Sequence, residues 1–418
     1  MRFLLLTQYY PPEIGGAQTR LQSMAEQLLR LGHEVEVVTA RPNYPRGRFL
    51  DERGLRLYVR EVRNGIVVHR VWVYPAMGSG LGRVMNCATF GVTSLLGLFR
   101  ARRPDYLLVE SPPLLTCIPA YLVKLVWRVP YIFNVADLWP DAMIEHGFLR
   151  EGLLQQMLLA LESWSYRKAA YVNAVTQGIR DVLVSQKHVP AEKVLFLPNG
   201  VDLSRFQRRE PDLRLKRELG LEDKSVILWA GTMGYAHGLE YVLQAAKILE
   251  GHSHIHFLFL GDGSTRNKLR QLRTQLNLQN VTFRDPVSLE ELPPYYSIAE
   301  GCLASLRALP SHEGARPSKI FPVLASGKAL IFVGSGEGAR LVESAQAGVV
   351  VEPENPPALA KEILRLFANR KMLLQLGENG RRFAETHLQW SNLVASWLEN
   401  LRQAQAGPAN AIRISATS

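Results

Sequence analysis

At 418 residues the chain is too long for one hydrophobic core, so it divides into two domains. A hydrophobic content of 47% excludes wholesale disorder, and three scattered cysteines exclude a disulfide framework and a cysteine zinc site, as expected of a reducing compartment. The net charge of +11, held mostly by the first half, calls for an anionic partner; without a nucleic-acid module or basic-aromatic interleaving, a membrane surface or a polyphosphate fits better than nucleic acid.

Met1-Arg2 runs straight into the strand-like Phe3–Leu6, with no secretory pattern. YYPPEIGGA follows, and then Leu21, Met24, Ala25, Leu28 and Leu29 recur at helical spacing up to Gly32, a plausible C-cap. VEVVTA, GIVVHRVWV (Gly65–Val73), YLLVES, YIFNVAD and AYVNAVT read as further strands, with helical stretches between them such as Gly152–Lys168. Two apolar segments, Val84–Phe99 and Leu114–Trp127, are short for a membrane span. They read as buried helices or as helices lying on a membrane surface, with arginines at Arg83, Arg100, Arg102 and Arg103 flanking the first. The pattern then restarts: SVILWAG, GLEYVLQAAKIL, IHFLFLGDG, VTFRD, CLASLR, SKIFPVLASG, ALIFVG, VVVEP and PALAKEILRLF alternate strand with helix. Repeated βα units imply parallel sheets covered by helices, hence two Rossmann-like α/β domains facing across a cleft. The expected divisions are 1–203, 204–380, crossing helices over 381–405 and a frayed tail over 406–418.

Ligands of such sheets bind beyond the carboxyl ends of the strands. Gly15 and Gly16 lie where a helix begins, a place suited to phosphate because its N–H groups are unpaired and its dipole is positive. A plain strand–helix connection is the competing reading, and the absence of G-x-G-x-x-G gives no pointer to a nicotinamide cofactor. Gly261, Asp262 and Gly263 form either a nucleotide-facing turn or a simple βα turn capped by Asp262. In SHEGARPSKIF, Glu313, Arg316, Ser318 and Lys319 gather at a helix start, where the basic side chains can meet a diphosphate or simply face solvent. Asp137, at the end of a strand, can orient a sugar or activate a hydroxyl, or merely cap a helix. No His, Asp and Glu grouping calls for a metal.

In their order these loops resemble the retaining glycosyltransferases of family four, which have the GT-B fold. The resemblance rests on P-P-x-x-G-G before a helix, L-P-N-G-V-D (Leu197–Asp202), G-D-G, P-S-K (Pro317–Lys319), L-A-S-G-K and G-V-V-V-E-P, and it spans nearly the whole chain. Within the family it looks most like bacterial surface-polysaccharide enzymes of the WbuB kind, which carry a D-L-W-P stretch. It implies a nucleotide-sugar donor, usually UDP-linked, as substrate rather than cofactor, and transfer of a hexose or N-acetyl-amino sugar to a lipid-linked or saccharide acceptor with retention and without a metal. On that resemblance Asp137 and Glu313 are the catalytic candidates. Gly15, Gly16, Thr232, His237, Gly261, Asp262, Gly263, Arg316, Ser318 and Lys319 are the donor-binding candidates. The chain departs from the family at three places: Thr232 and His237 stand where many members have Arg and Lys, Ala136 where many have His, and Pro322 where a ribose-binding Glu is usual. A nucleotide-sugar 2-epimerase and a catalytically degenerate scaffold are the alternatives. The expected location is cytoplasmic, peripheral on the inner face of the plasma membrane, with anionic lipid as a partner.

Overall fold

The computed structural model describes residues 1–44, 47–51, 55–76, 80–145, 147 and 149–406. The expected tail from 407 onward lies outside the described residues. The chain divides into two compact units, one comprising Met1–Glu13, Ala17–Asn199 and the chain from Trp390 onward, the other Ile14–Gly16 and Gly200–Gln389.

Among the described residues the first unit is built on eight strands: β1 (Arg2–Leu6), β2 (Glu34–Ala40), β3 (Tyr58–Arg63), β4 (Ile66–Val71), β5 (Tyr106–Ser111), β6 (Tyr131–Val135), β7 (Tyr171–Ala174) and β8 (Val194–Phe196). Their order across the sheet is β3-β4-β2-β1-β5-β6-β7-β8. Leu5 of β1 sits opposite Val37 on one side and Leu108 on the other, and all these pairings are parallel except β3 with β4. Continuous apolar runs make such strands because helices cover both faces; Phe3, Leu4, Val37 and Ile132 are sealed from water. Each such side chain contributes roughly 1.5–3 kcal/mol by burial.

The antiparallel edge strand β3 corrects the all-parallel expectation. It joins β4 through Asn64 (φ 49°) and Gly65 (φ 78°), whose positive φ angles make the mirror-image two-residue turn that matches strand twist. Asn-Gly between alternating residues is a strong hairpin signal, and the strand before it is legible in retrospect.

A second correction concerns the apolar segment Val84–Phe99. It lies in a helix, Leu81–Leu98, that buries only one side, through Phe90, Ser94 and Leu98. Leu81, Val84, Met85 and Val92 face outward, so the buried-helix reading holds for half of its surface. No helix among the described residues is long and apolar enough to cross a membrane.

The second unit carries six parallel strands, β9 (Ser225–Ala230), β10 (Ile255–Leu260), β11 (Val281–Arg284), β12 (Ala299–Ser305), β13 (Ala329–Val333) and β14 (Gly348–Val351), in the order β11-β10-β9-β12-β13-β14. The helix Arg370–His387 belongs to this unit, so the return to the first begins at Trp390 rather than at 381. From there the helix Trp390–Ala406 buries Trp390, Val394, Trp397, Leu398 and Leu401 against Phe3, Leu5 and Leu195 of the first unit.

Candidate functional site

Parallel strands deliver their carboxyl ends to one edge of each sheet, and the candidate residues collect there. In the second unit β9 leads into a loop holding Thr232 and a short 3-10 turn, Tyr235–His237. Lys319 immediately precedes the helix Ile320–Ala325. Its Nζ stands 3.3 Å from His237 Nε2 and 4.4 Å over the ring of Trp229. His237 Nδ1 lies 2.9 Å from the Ser305 carbonyl, which can only accept. Nδ1 therefore carries the proton, and Nε2 turns its lone pair to the ammonium. Burial pushes the Lys319 amine down to about 7; burial first, then the neighbouring Lys319 charge, holds His237 well below its ordinary range. Among the described residues Lys319 has no carboxylate within ion-pair distance.

The G-D-G turn closes against this loop backbone to backbone. A Cβ on Gly261 (φ +147°) would lie 2.0 Å from the Gly231 carbonyl oxygen, so no other residue fits there. Met233 N–H donates to the Asp262 carbonyl at 2.8 Å. The Asp262 carboxylate accepts from Gly263 N–H at 2.8 Å and faces Arg266 at 3.9 Å, and the helix that follows takes no side-chain cap from it. Thr232, His237, Gly261, Asp262, Gly263 and Lys319 are thus brought together.

Three neighbouring candidates are placed differently. Glu313 is exposed and accepts from Ser335 Oγ, while its carbonyl accepts from Glu337 N–H at 2.7 Å. Arg316 is not a free cation: it pairs with the buried Glu337 at 2.6 Å. That corrects the expectation that it stands ready for a diphosphate. Ser318 is exposed, and the helix after it has no side-chain cap.

Gly16 is the exposed first residue of the helix Gly16–Arg30, the rest of which belongs to the first unit, and the half-buried Gly15 precedes it. Ile14–Gly16 groups with the second unit. Glu13, just upstream, is buried and accepts from the N–H groups of Asn43 at 2.7 Å and Tyr44 at 2.8 Å, tying the loop to the exit of β2. Burial raises its carboxyl to about 7. Asp137 lies exposed beyond β6 at the strand end, where the Arg20 charge favours its ionised form.

A buried polar relay runs beneath Asp137. Arg20, on the inner face of the first helix, pairs with Glu110 of β5. Asn134 of β6 donates to Glu110 at 2.8 Å, Asn173 of β7 donates to Asn134 at 2.6 Å, and Trp397 Nε1 donates to Asn173 at 3.0 Å. Sequence reasoning passed over all five residues. The available signal was a Glu and two Asn in the middle of otherwise apolar strands, where unpaired polar groups are costly.

Residues 15–200 match the glycosyl transferase 4-like domain, and residues 212–383 match the glycosyl transferases group 1 domain. WcaI of Escherichia coli strain K12, described as a colanic acid biosynthesis glycosyl transferase, is 29% identical over 96% of this chain and 100% of its own. Among solved structures, sucrose-phosphate synthase from Thermosynechococcus elongatus superposes with a TM-score of 0.76 at 18% identity, covering 97% of this chain and 99% of the other. Anabaena HepE in complex with UDP-glucose gives 0.73 at 16%, covering 96% and 100%. The fold is GT-B. The chain belongs to the glycosyltransferases that join a glycosyl transferase 4-like domain to a group 1 domain.

Proposed function

We propose that this glycosyltransferase takes a hexose or N-acetyl-amino sugar from a nucleotide donor, usually UDP-linked, and transfers it with retention to a lipid-linked or saccharide acceptor in cell-envelope polysaccharide or glycolipid assembly. The observation that carries the reading is the Lys319 ammonium, set at a strand mouth against a neutral imidazole and an indole face, with no carboxylate among the described residues to neutralise it. A half-buried cation without an anion is costly, and a diphosphate supplies that anion. The G-D-G turn offers backbone to the nucleoside side, and Glu313 stands at the sugar.

In this reading neutralisation of the departing diphosphate falls to Lys319 and backbone donors, without a metal ion. The leaving phosphate takes the acceptor proton on the face it departs from, which accounts for retention. Asp137 orients the acceptor hydroxyl. Colanic acid assembly in the name of WcaI and bound UDP-glucose in HepE support the polysaccharide and UDP assignments. The basic, outwardly apolar first unit supports a peripheral position on the cytoplasmic face of the membrane.

Calorimetric titration with UDP-sugars tests this directly. Lys319→Ala removes a charge-assisted contact of about 2 kcal/mol and is expected to weaken donor binding roughly thirtyfold. Unchanged affinity would take Lys319 out of the phosphate role. Absence of both hydrolysis and transfer from any nucleotide-sugar to detergent-solubilised lipid acceptors would overturn the transfer reaction itself.

A further inference from the structure

The helix Leu81–Leu98 has two faces that ask for different things. Asn86, Phe90, Ser94 and Leu98 pack inward. Outward, Leu81 is 79%, Val84 55%, Met85 43% and Val92 71% exposed. The adjoining helix Cys117–Trp127 adds Ile118, Leu122, Leu125 and Val126, all outward. Large apolar side chains gathered on two neighbouring helices are not what a water-facing surface carries. Arg100 and Arg103 follow the first helix and are exposed, whereas Arg102 pairs with Glu34 and Glu36, so the surface suits an anionic amphiphile.

At the N-terminal end of the same helix, Arg83 turns the other way. Its guanidinium lies 5.5 Å over the Tyr9 ring, and Nη1 donates to Asn86 Oδ1 at 3.2 Å. The acidic groups that bear on it are the Tyr9 phenol, the Cys87 thiol and the Tyr44 phenol, all neutral at pH 7. Burial pushes Tyr9 and Cys87 further up still. Among the described residues no carboxylate stands within ion-pair distance of Arg83. Beside it Gln8, 0% exposed, donates through Nε2 to the same Asn86 oxygen and leaves Oε1 without a partner. The place therefore lacks one anion and one hydrogen-bond donor. Gln8 and Tyr9 are also among the first residues beyond the carboxyl end of β1, where parallel sheets receive ligands.

We infer that Gln8, Tyr9 and Arg83 form the headgroup site for a glycosylated lipid phosphate. The phosphate meets Arg83, a sugar hydroxyl donates to Gln8, and the hydrocarbon tail runs over Leu81, Val84, Met85 and Val92. The inference rests on the proposed transfer reaction, whose acceptor it specifies. A free sugar phosphate shares the anion but has no use for the apolar face. A generally anionic bilayer shares the tail contact but has no need of Arg83 and Gln8.

The experiment is flotation of the full chain with phosphatidylcholine vesicles doped with a long-chain alkyl phosphate, alongside plain phosphatidylcholine and phosphatidylglycerol-doped vesicles. The expected result is retention on the alkyl phosphate vesicles well above both controls. Arg83→Gln should lower that retention tenfold or more, the loss of about 1.5–3 kcal/mol of charge-assisted contact. Val92→Asp should lower it with the headgroup residues intact. Equal retention on phosphatidylglycerol, unaffected by Arg83→Gln, would overturn the site in favour of general electrostatics. Release by inorganic phosphate at the concentration at which alkyl phosphate binds would overturn the amphiphile. Calorimetry with a UDP-sugar keeps the two levels apart: Arg83→Gln should bind donor as the parent does. Donor binding without alkyl phosphate retention would sink this inference and leave the proposed reaction standing.

Discussion

The carboxyl ends of β1 and β9 occupy corresponding places, since each strand lies where its sheet reverses strand order. They handle charge in opposite ways. Beneath the end of β1, Arg20 and Glu110 neutralise each other out of water, and two asparagines and an indole N–H satisfy what is left. At the end of β9, Lys319 meets a lone pair and a ring face, and no carboxylate among the described residues. A charge with an internal partner fixes shape, whereas a charge without one waits for a ligand. The same reasoning separates Arg316, paired with Glu337, from Lys319, although both belong to one short basic stretch.

The sharpest way to break the contrast is to strip the first mouth of its cation. Arg20→Leu leaves Glu110 buried without its partner and should cost about 3–5 kcal/mol of stability, read by chemical denaturation. Burial already raises the Glu110 carboxyl above its ordinary value, and loss of Arg20 raises it further. A raised carboxyl favours its protonated form in the folded state, so the deficit should deepen as pH climbs above the ordinary glutamate range and shrink in acid. A loss below 1 kcal/mol, flat with pH, would place Glu110 outside any pair.

The second mouth should respond to pH through binding instead. With the Lys319 amine at about 7, a diphosphate finds it charged below that point and must take up a proton above it. Donor affinity should therefore fall by up to about tenfold per pH unit from pH 7 toward 9, a limit of about 1.4 kcal/mol per unit. In Lys319→Ala the profile should be low and level. An equally steep profile in that variant would assign the titration elsewhere.

The smallest effect tests the far end of the relay. Trp397→Phe keeps an aromatic ring in the core but removes the indole N–H from Asn173 Oδ1 and leaves a small void, together about 1–3 kcal/mol of stability. Thermal unfolding should register that loss while UDP-sugar affinity stays at the parent value. A loss of donor affinity with unchanged unfolding would reverse the assignment of Trp397 to the first unit's framework.

The alternation of apolar runs with helical stripes made most strands and both α/β domains legible, because that period is local. G-D-G and P-S-K were legible for the same reason: a glycine or a lysine at a strand end declares itself within a few residues. The edge strand β3 was passed over although Asn64-Gly65 marked its turn. The relay was beyond reach for a different reason, since Asn173 and Trp397 are 224 residues apart in sequence and meet only in the finished sheet. Arg316 misled because its type promised a phosphate contact, while its actual partner, Glu337, comes from the helix Gly336–Ser344 after β13.

The return of the helix Trp390–Ala406 to the first unit has a consequence for synthesis. Phe3 and Leu5 are made well before Val394, Trp397 and Leu401, which complete the apolar surface they face. The first unit is thus closed only after the second sheet has been made. Until its closing helix emerges, the nascent chain carries β1 and Leu195 with one flank bare, while the second sheet already has all its strands. Chaperone binding during translation should accordingly concentrate on the early half and end when the segment around Trp397 clears the exit tunnel.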